Sequence, residues 1–264
     1  MHDHTNCCDH DHDHEERTIT IHKPEDFEGM RRAGRLACQV LDFITPSIKA
    51  GISTDEINTL CHDFMTSKGG FPAPLGYHGY PKSVCTSVNH VVCHGIPGDK
   101  KLETGDIINV DVTVLLDGWH GDTSRTFGVG KIGLRAQKLI DVTYESLMRA
   151  IEIVKPGITL GDIGHTIQTY AQKHGFSVVR DFCGHGIGRQ IHSYPNVMHY
   201  GKPGEGHVLE EGMFFTIEPM INAGRYDVKI LNDGWTAVTK DKSLSAQFEH
   251  SLGVTATGHE IFTI

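Results

Sequence analysis

Residues 106–127 read DIINVDVTVLLDGWHGDTSRTF. Two arms of alternating apolar and polar residues flank Asp117-Gly118, a pair typical of a tight hairpin turn. Asp111 stands inside one arm and Asp122 inside the other, although Asp is poor in strands and costly to bury. Side chains alternate across a strand, so residues two apart share a face. A turn centred on Leu116-Asp117 sets the two aspartates directly opposite; a turn centred on Asp117-Gly118 makes them diagonal neighbours. In both registers they share one face, and Val110, Val112 and Val114 take the other. Carboxylates so placed repel unless a proton or a cation lies between them.

The acid in the strand occurs twice. LETGDIINVD (102–111) resembles LEEGMFFTIE (209–218), which aligns Asp111 with Glu218. IKAGISTDEI (48–57) resembles VKPGITLGDI (154–163), and HGI occurs at 94–96 and 185–187. Three matches in one order point to two related halves, about 17–130 and 131–264, each running helix, helix, His-bearing loop, strand ending on an acid. Helical spacing of apolar residues predicts helices over 24–44, from Ser53 onward, about 134–153 and 159–174. Ser53 with Glu56 forms a capping box. TITIH (18–22) predicts a short strand.

Other features bound the possibilities. With 24 Lys and Arg against 33 Asp and Glu, the net charge is −9. That balance argues against nucleic-acid binding through a broad basic surface and suits a site that concentrates cations. No apolar run approaches the ~18 residues of a membrane helix, and the polar start of the chain is no signal peptide. Seven scattered cysteines read as reduced thiols of a cytoplasmic protein. Residues 1–16 form a His, Asp, Glu and Cys-Cys tail too polar to bury surface, expected to be disordered. Its Cys and His also suit weak capture of soft or borderline ions.

Further acids complete a constellation. Glu218 lies in the apolar strand pattern MFFTIEPMI, Glu249 in AQFEHSLGV, and His185 in CGHGIG, a Gly-flanked loop where backbone can approach a ligand. Four carboxylates and one imidazole suit one or two divalent ions of the Mn, Fe, Co or Zn kind. Carboxylates can bridge two such ions about 3.5–4 Å apart. Taken singly, Glu249 reads as a solvated strand residue, His185 as structural, and His94 and His192 as loop histidines. Spacing alone leaves both readings open.

Longer segments in order are more specific: GYHGYPKSVCTSVNHVVCHGIP, INVDVTVLLDGWHGDTSRTF, CGHGIGRQIHSYPNV, FTIEPMI and DGWTAVTKDKSLSAQFEHSLGVT. Over nearly the whole chain, from about Arg17, the sequence resembles the type I methionine aminopeptidases of the pita-bread metallopeptidase superfamily. The short interval from Glu218 to Glu249 leaves no room for the insertion of type II relatives. The resemblance implies an α+β pita-bread fold of two pseudo-symmetric halves, with a curved antiparallel sheet and outer helices. It implies two divalent metal ions (Co, Mn, Fe or Zn) held by Asp111, Asp122, His185, Glu218 and Glu249, with Asp122 and Glu249 bridging. An activated water would attack the carbonyl after an N-terminal methionine, with Glu218 taking its proton, His192 stabilising the oxyanion and His94 contacting the scissile nitrogen. Tyr77, Tyr80, Cys85 and Trp235 would line the methionine pocket.

The implied task is removal of the initiator methionine from nascent polypeptides when the next residue is small. The expected setting is a cytoplasmic monomer in transient association with the ribosome, without nucleic-acid sequence recognition or membrane attachment. Pro74, Ile191 and His90 depart from the pattern of some relatives and bear on pocket shape. Two other readings share the fold. One is a Xaa-Pro aminopeptidase or prolidase, which usually carries a further N-terminal domain. The other is a non-catalytic ribosome-associated homologue, which loses ligands that this chain retains.

Overall fold

A computed structural model describes residues 18–264; the expectation for residues 1–16 lies outside the described residues. Four α-helices are present among them: α1 (Asp26–Ile44), α2 (Thr54–Ser67), α3 (Leu134–Glu152) and α4 (Leu160–Lys173). The strands are β1 (Phe71–Pro72), β2 (Cys85–Val88), β3 (Val91–Cys93), β4 (Ile107–Leu116), β5 (Trp119–Gly128), β6 (Ser177–Val178), β7 (Gly184–Gly186), β8 (Ser193–Val197), β9 (Phe214–Ile217), β10 (Met220–Asn222), β11 (Val228–Ile230), β12 (Ala237–Thr239), β13 (Ser245–Gln247), β14 (Glu249–Val254) and β15 (His259–Ile261).

The helices of the two halves correspond in order and length. The first helices, α1 and α3, are 19 residues each, and the second, α2 and α4, are 14 each. Both second helices open on a full capping box, Ser53 with Glu56 and Thr159 with Asp162. The residue pairs before them also correspond: Gly51 N–H donates to the Leu102 carbonyl at 2.8 Å, and Gly157 N–H to that of Leu209 at 2.9 Å.

A nine-stranded antiparallel sheet runs β1-β4-β5-β14-β9-β7-β8, with β2 also on β4 and β15 on β14. The pairing of β5 with β14, Ser124 beside Glu249, joins the halves. Two three-stranded sheets, β13-β10-β6 and β11-β12-β3, flank it. The outward face of β4 carries Val110, Val112 and Val114 against Leu36, Val40 and Leu41 of α1 and Ile57 and Met65 of α2. Phe215, Ile217 and Leu252 pack likewise under α3 and α4. Each such side chain contributes about 1.5–3 kcal/mol by leaving water, so the helices clamp the sheet from one side. The opposite face is left to the acids.

TITIH forms no strand; only Ile21 makes a single bridge, to Met213. Alternation of apolar residues there has no neighbouring edge long enough to continue a ladder. The Asp117-Gly118 turn has both central residues at positive φ, 50° and 78°, the geometry that matches strand twist in a two-residue hairpin. The register follows: Asp111 pairs with Ser124 and Thr113 with Asp122. The aspartates are therefore diagonal, the second of the two registers.

Candidate metal and catalytic site

The two halves bring their acids to one hollow by different routes. Asp122 is 4% exposed, and Thr113 Oγ1, its cross-strand neighbour, donates to Oδ1 at 2.8 Å. Burial, then the charge of Asp111, pushes the Asp122 carboxyl well above its ordinary range. Burial pushes Asp111 up to about 7, and its buried Oδ1 has no hydrogen-bond partner.

His185 stands in the short strand β7, not in a loop. Its flanking glycines serve close packing there. A Cβ on Gly184 would lie 2.3 Å from the Thr216 carbonyl oxygen, and one on Gly186 2.5 Å from that of Tyr194. The His185 ring lies 3.1 Å, through Nδ1, from the Gly186 carbonyl. Burial holds its pKa down to about 4, so the ring is neutral, Nδ1–H donates, and the Nε2 lone pair is left facing the acids. Nε2 is 3.8 Å from Asp122 Oδ2 and 3.6 Å from Glu218 Oε1.

Glu218 and Glu249 sit where the chain changes sheets. Strand β9 ends at Ile217 in the large sheet and β10 begins at Met220 in a small one; β13 ends at Gln247 and β14 begins at Glu249. Glu218 thus lies one residue beyond the strand expected to contain it. Thr216 Oγ1 donates to its Oε1 at 2.9 Å, and Gln247 Nε2 to its Oε2 at 3.2 Å. His199 Nε2 accepts the Glu218 backbone N–H at 3.1 Å. Glu249 is 2% exposed. Burial first, then Asp122, Glu218 and Asp111, raises it well above the carboxylate range. Thr113, Thr216, His199 and Gln247 escaped the sequence reading. Their one signal was polarity inside apolar strand patterns.

The remaining candidates form the walls. His94 follows β3 with φ +55°, uncommon for a residue with a Cβ. It meets Phe182 and Trp235 edge-on, with ring centroids 5.4 and 6.3 Å away, and burial lowers its pKa to about 4. Tyr80 packs edge-on to Trp235 at 5.1 Å and donates its hydroxyl to the Val84 and Gly95 carbonyls. Cys85 is buried directly across from Asp111, and its thiol is pushed well up by burial. Trp235 is fixed by Asp233, whose Oδ1 accepts its N–H at 2.9 Å. On the other side, Tyr77 Oη lies 2.8 Å from His192 Nδ1, and His192 meets the His185 ring at 4.3 Å. Of the departing positions, Pro74 and Ile191 are half-buried and His90 is exposed. The Pro74 carbonyl accepts the Tyr77 N–H, and that of His90 accepts the N–H of Thr239 in β12.

The chemistry of this hollow fits divalent metal. Ligand atoms of Asp122, His185 and Glu249 all lie within 4.8 Å of one another. Asp111 raises both Asp122 and Glu249 through its charge, and Glu218 raises Glu249 and lies 3.6 Å from His185. Four acids crowded out of water are strained by mutual repulsion, the partnerless Asp111 Oδ1 lacks a donor, and a neutral imidazole offers a lone pair. Cations would answer all three conditions.

Nearly the whole chain is similar to known proteins. The signature of metallopeptidase family M24 matches residues 28–256. A methionine aminopeptidase of Rickettsia prowazekii is 59% identical over 94% of this chain and 96% of the relative. One from Escherichia coli is 54% identical over 93% of this chain and 94% of the relative. The crystal structure of methionine aminopeptidase from Rickettsia prowazekii superposes with a TM-score of 0.93, covering 94% of this chain and all of that one.

Proposed function

Because the chain belongs to metallopeptidase family M24, with the pita-bread fold of two matched halves, we infer that it is a metal-dependent aminopeptidase that releases N-terminal methionine. Two relatives of that activity match it nearly end to end at more than half identity. The observation in the molecule that most supports the reading is the convergence of Asp122, His185 and Glu249 beside Asp111 and Glu218.

In this reading Asp111, Asp122, His185, Glu218 and Glu249 are the side chains that would hold two divalent ions of Co, Mn, Fe or Zn. When bound, such ions lower the pKa of a nearby water and polarise the scissile carbonyl. Glu218 takes the proton from the attacking water, its carboxylate held in place by Thr216 and Gln247. His192, exposed beside His185 and tied through Nδ1 to Tyr77, stabilises the charge that develops on the carbonyl oxygen. His94, neutral in its buried wall, contacts the scissile nitrogen. Tyr77, Tyr80, Cys85 and Trp235 enclose the methionine side chain, and the residue that follows it is small. The natural substrates are then nascent polypeptides, met by a cytoplasmic monomer in passing contact with the ribosome. Among the described residues no helix is long and apolar enough to cross a membrane.

The test is hydrolysis of Met-Ala-Ser against Ala-Pro peptides, after chelation and after reloading with each metal. Methionine release that vanishes with chelator and returns with metal is expected. No methionine release from any metal-loaded sample overturns the reading.

A further inference from the structure

We propose that His199 is a positioning residue for Glu218, fixing the peptide from which that carboxylate projects; the proposal rests on the role just assigned to Glu218. The reason lies in the backbone. Ile217 is the last β9 residue paired in the large sheet, opposite His250. Met220 is the first paired in the small one, opposite Gln247. Between them Pro219 has no N–H, and the Glu218 N–H has no strand partner. A buried N–H left unpaired costs about 1–3 kcal/mol. His199 Nε2 takes it at 3.1 Å. On the same residue, the Glu218 carbonyl receives a long contact from Gln247 Nε2, at 3.5 Å.

The imidazole is an odd choice on any other ground. His199 is wholly buried, at 0% exposure. An Nε2 that accepts an N–H bears no proton, so the ring carries its hydrogen on Nδ1, and Nδ1 has no hydrogen-bond partner. A leucine or phenylalanine would fill the space without that orphaned donor. The acceptor at Nε2 is the one thing His199 supplies that an apolar residue would not.

Its position in the chain gives the bond a use. His199 lies two residues past β8, and β8 is paired to β7, which carries His185. One hairpin therefore sets both the His185 ring and the Glu218 peptide, whose side chains meet at 3.6 Å. Released from His199, the 218 peptide plane is free to rotate, and the carboxylate swings with it. Positioning of reactive groups is sensitive to displacements well under 1 Å.

The experiment compares His199→Phe, which keeps volume and loses the acceptor, with His199→Gln, whose amide oxygen reaches the Nε2 position. Metal affinity is measured by titrating chelated protein with cobalt and following the visible absorption. Then kcat and KM for Met-Ala-Ser are measured on metal-loaded enzyme, with Tm as a control. The phenylalanine variant should lose about 10–100-fold in kcat or cobalt affinity, with KM little changed and Tm lowered by about a few degrees at most, and the glutamine variant should recover most of the loss. Wild-type kcat and cobalt affinity in His199→Phe, or equal impairment of both variants, overturns the proposal. If His199→Phe does not fold, His199→Met takes its place under the same criteria. Cobalt affinity requires no peptide, so it decides the role of His199 even if methionine release by the wild type were to fail.

Discussion

In the first half, Asp111 and Asp122 stand within two ten-residue strands whose ladder is unbroken from Ile107 and Gly128 to Leu116 and Trp119. In the second, Glu218 and Glu249 stand beside breaks where strands pass from one sheet to another. The β4–β5 ladder carries both acids without interruption, with Thr113 donating to the Asp122 carboxylate and Ser251 of β14 completing the Asp122 backbone: its Oγ accepts the N–H at 3.1 Å and donates to the carbonyl at 2.7 Å. At the breaks the ladder lapses and side chains replace it: His199 on the Glu218 N–H, and Thr123 Oγ1 donating to the Glu249 carbonyl at 2.7 Å. The hairpin holds its acids on an unbroken ladder with Thr113 and Ser251 added at Asp122; at the breaks buried polar side chains stand in for the ladder itself.

The contrast can be broken most forcefully at Asp122. Asp122→Asn should reduce methionine release to background. In chelated protein the same change should raise stability by on the order of 1 kcal/mol, the worth of one unit of pKa shift, because a buried like charge is gone and the hairpin stands without it. Thermal unfolding with and without metal checks both; lower stability in chelator would show the carboxylate to be structural. Next in size, Glu218→Gln should lower kcat by about 10²–10⁴-fold even in protein saturated with metal, with the loading checked by elemental analysis beside kinetics. Unchanged kcat would remove Glu218 as proton acceptor.

A pH titration sharpens the comparison further. Asp111 keeps its proton up to about pH 7 in the metal-free state, whereas an unburied aspartate loses it near 4. An incoming cation must displace that proton, so apparent metal affinity should weaken as pH falls below 7. The slope should approach about tenfold per unit for each proton displaced. Asp122 and Glu249, also raised, add protons of their own, so Asp111→Asn should reduce the slope by about one proton's share; calorimetric titration between pH 5.5 and 8 reads it, and a slope equal to wild type would place the displaced proton elsewhere. The smallest effect tests the likeness of the halves. Ser53→Ala and Thr159→Ala each remove one capping box and should each cost about 1 kcal/mol, with kcat untouched. Unequal losses in denaturant unfolding would show that the two helix pairs carry different shares of stability.

Much of this was legible in the chain. The capping residues, the helix pairs and the shared face of Asp111 and Asp122 follow from local periodicity, which a helix or hairpin cannot evade. The choice of hairpin register depended on which dipeptide turned, and positive φ at both Asp117 and Gly118 decided it. TITIH misled because alternation predicts a strand only where an edge waits for it. The glycines around His185 read as loop residues, but they mark a backbone pressed against Thr216 and Tyr194. His199 and Gln247 were hidden because their work lies at a change of sheet, a long-range event with no local pattern. The division of His94, His192, Tyr77, Tyr80, Cys85 and Trp235 into walls came from the resemblance, since no spacing rule reaches across β2, β3 and β12.

The seam at β5 and β14 has a consequence for how the site can exist at all. A chain ending near residue 130 would hold Asp111 and Asp122 without His185, Glu218 or Glu249, and the remainder would hold the converse set. Were the halves separate molecules, a whole centre would form only as often as two partners met, and dilution would empty it. Joined through the β5–β14 and β3–β12 pairings, they face each other at a local concentration fixed by the fold. Assembly of the centre is then independent of how much of the protein a cell contains.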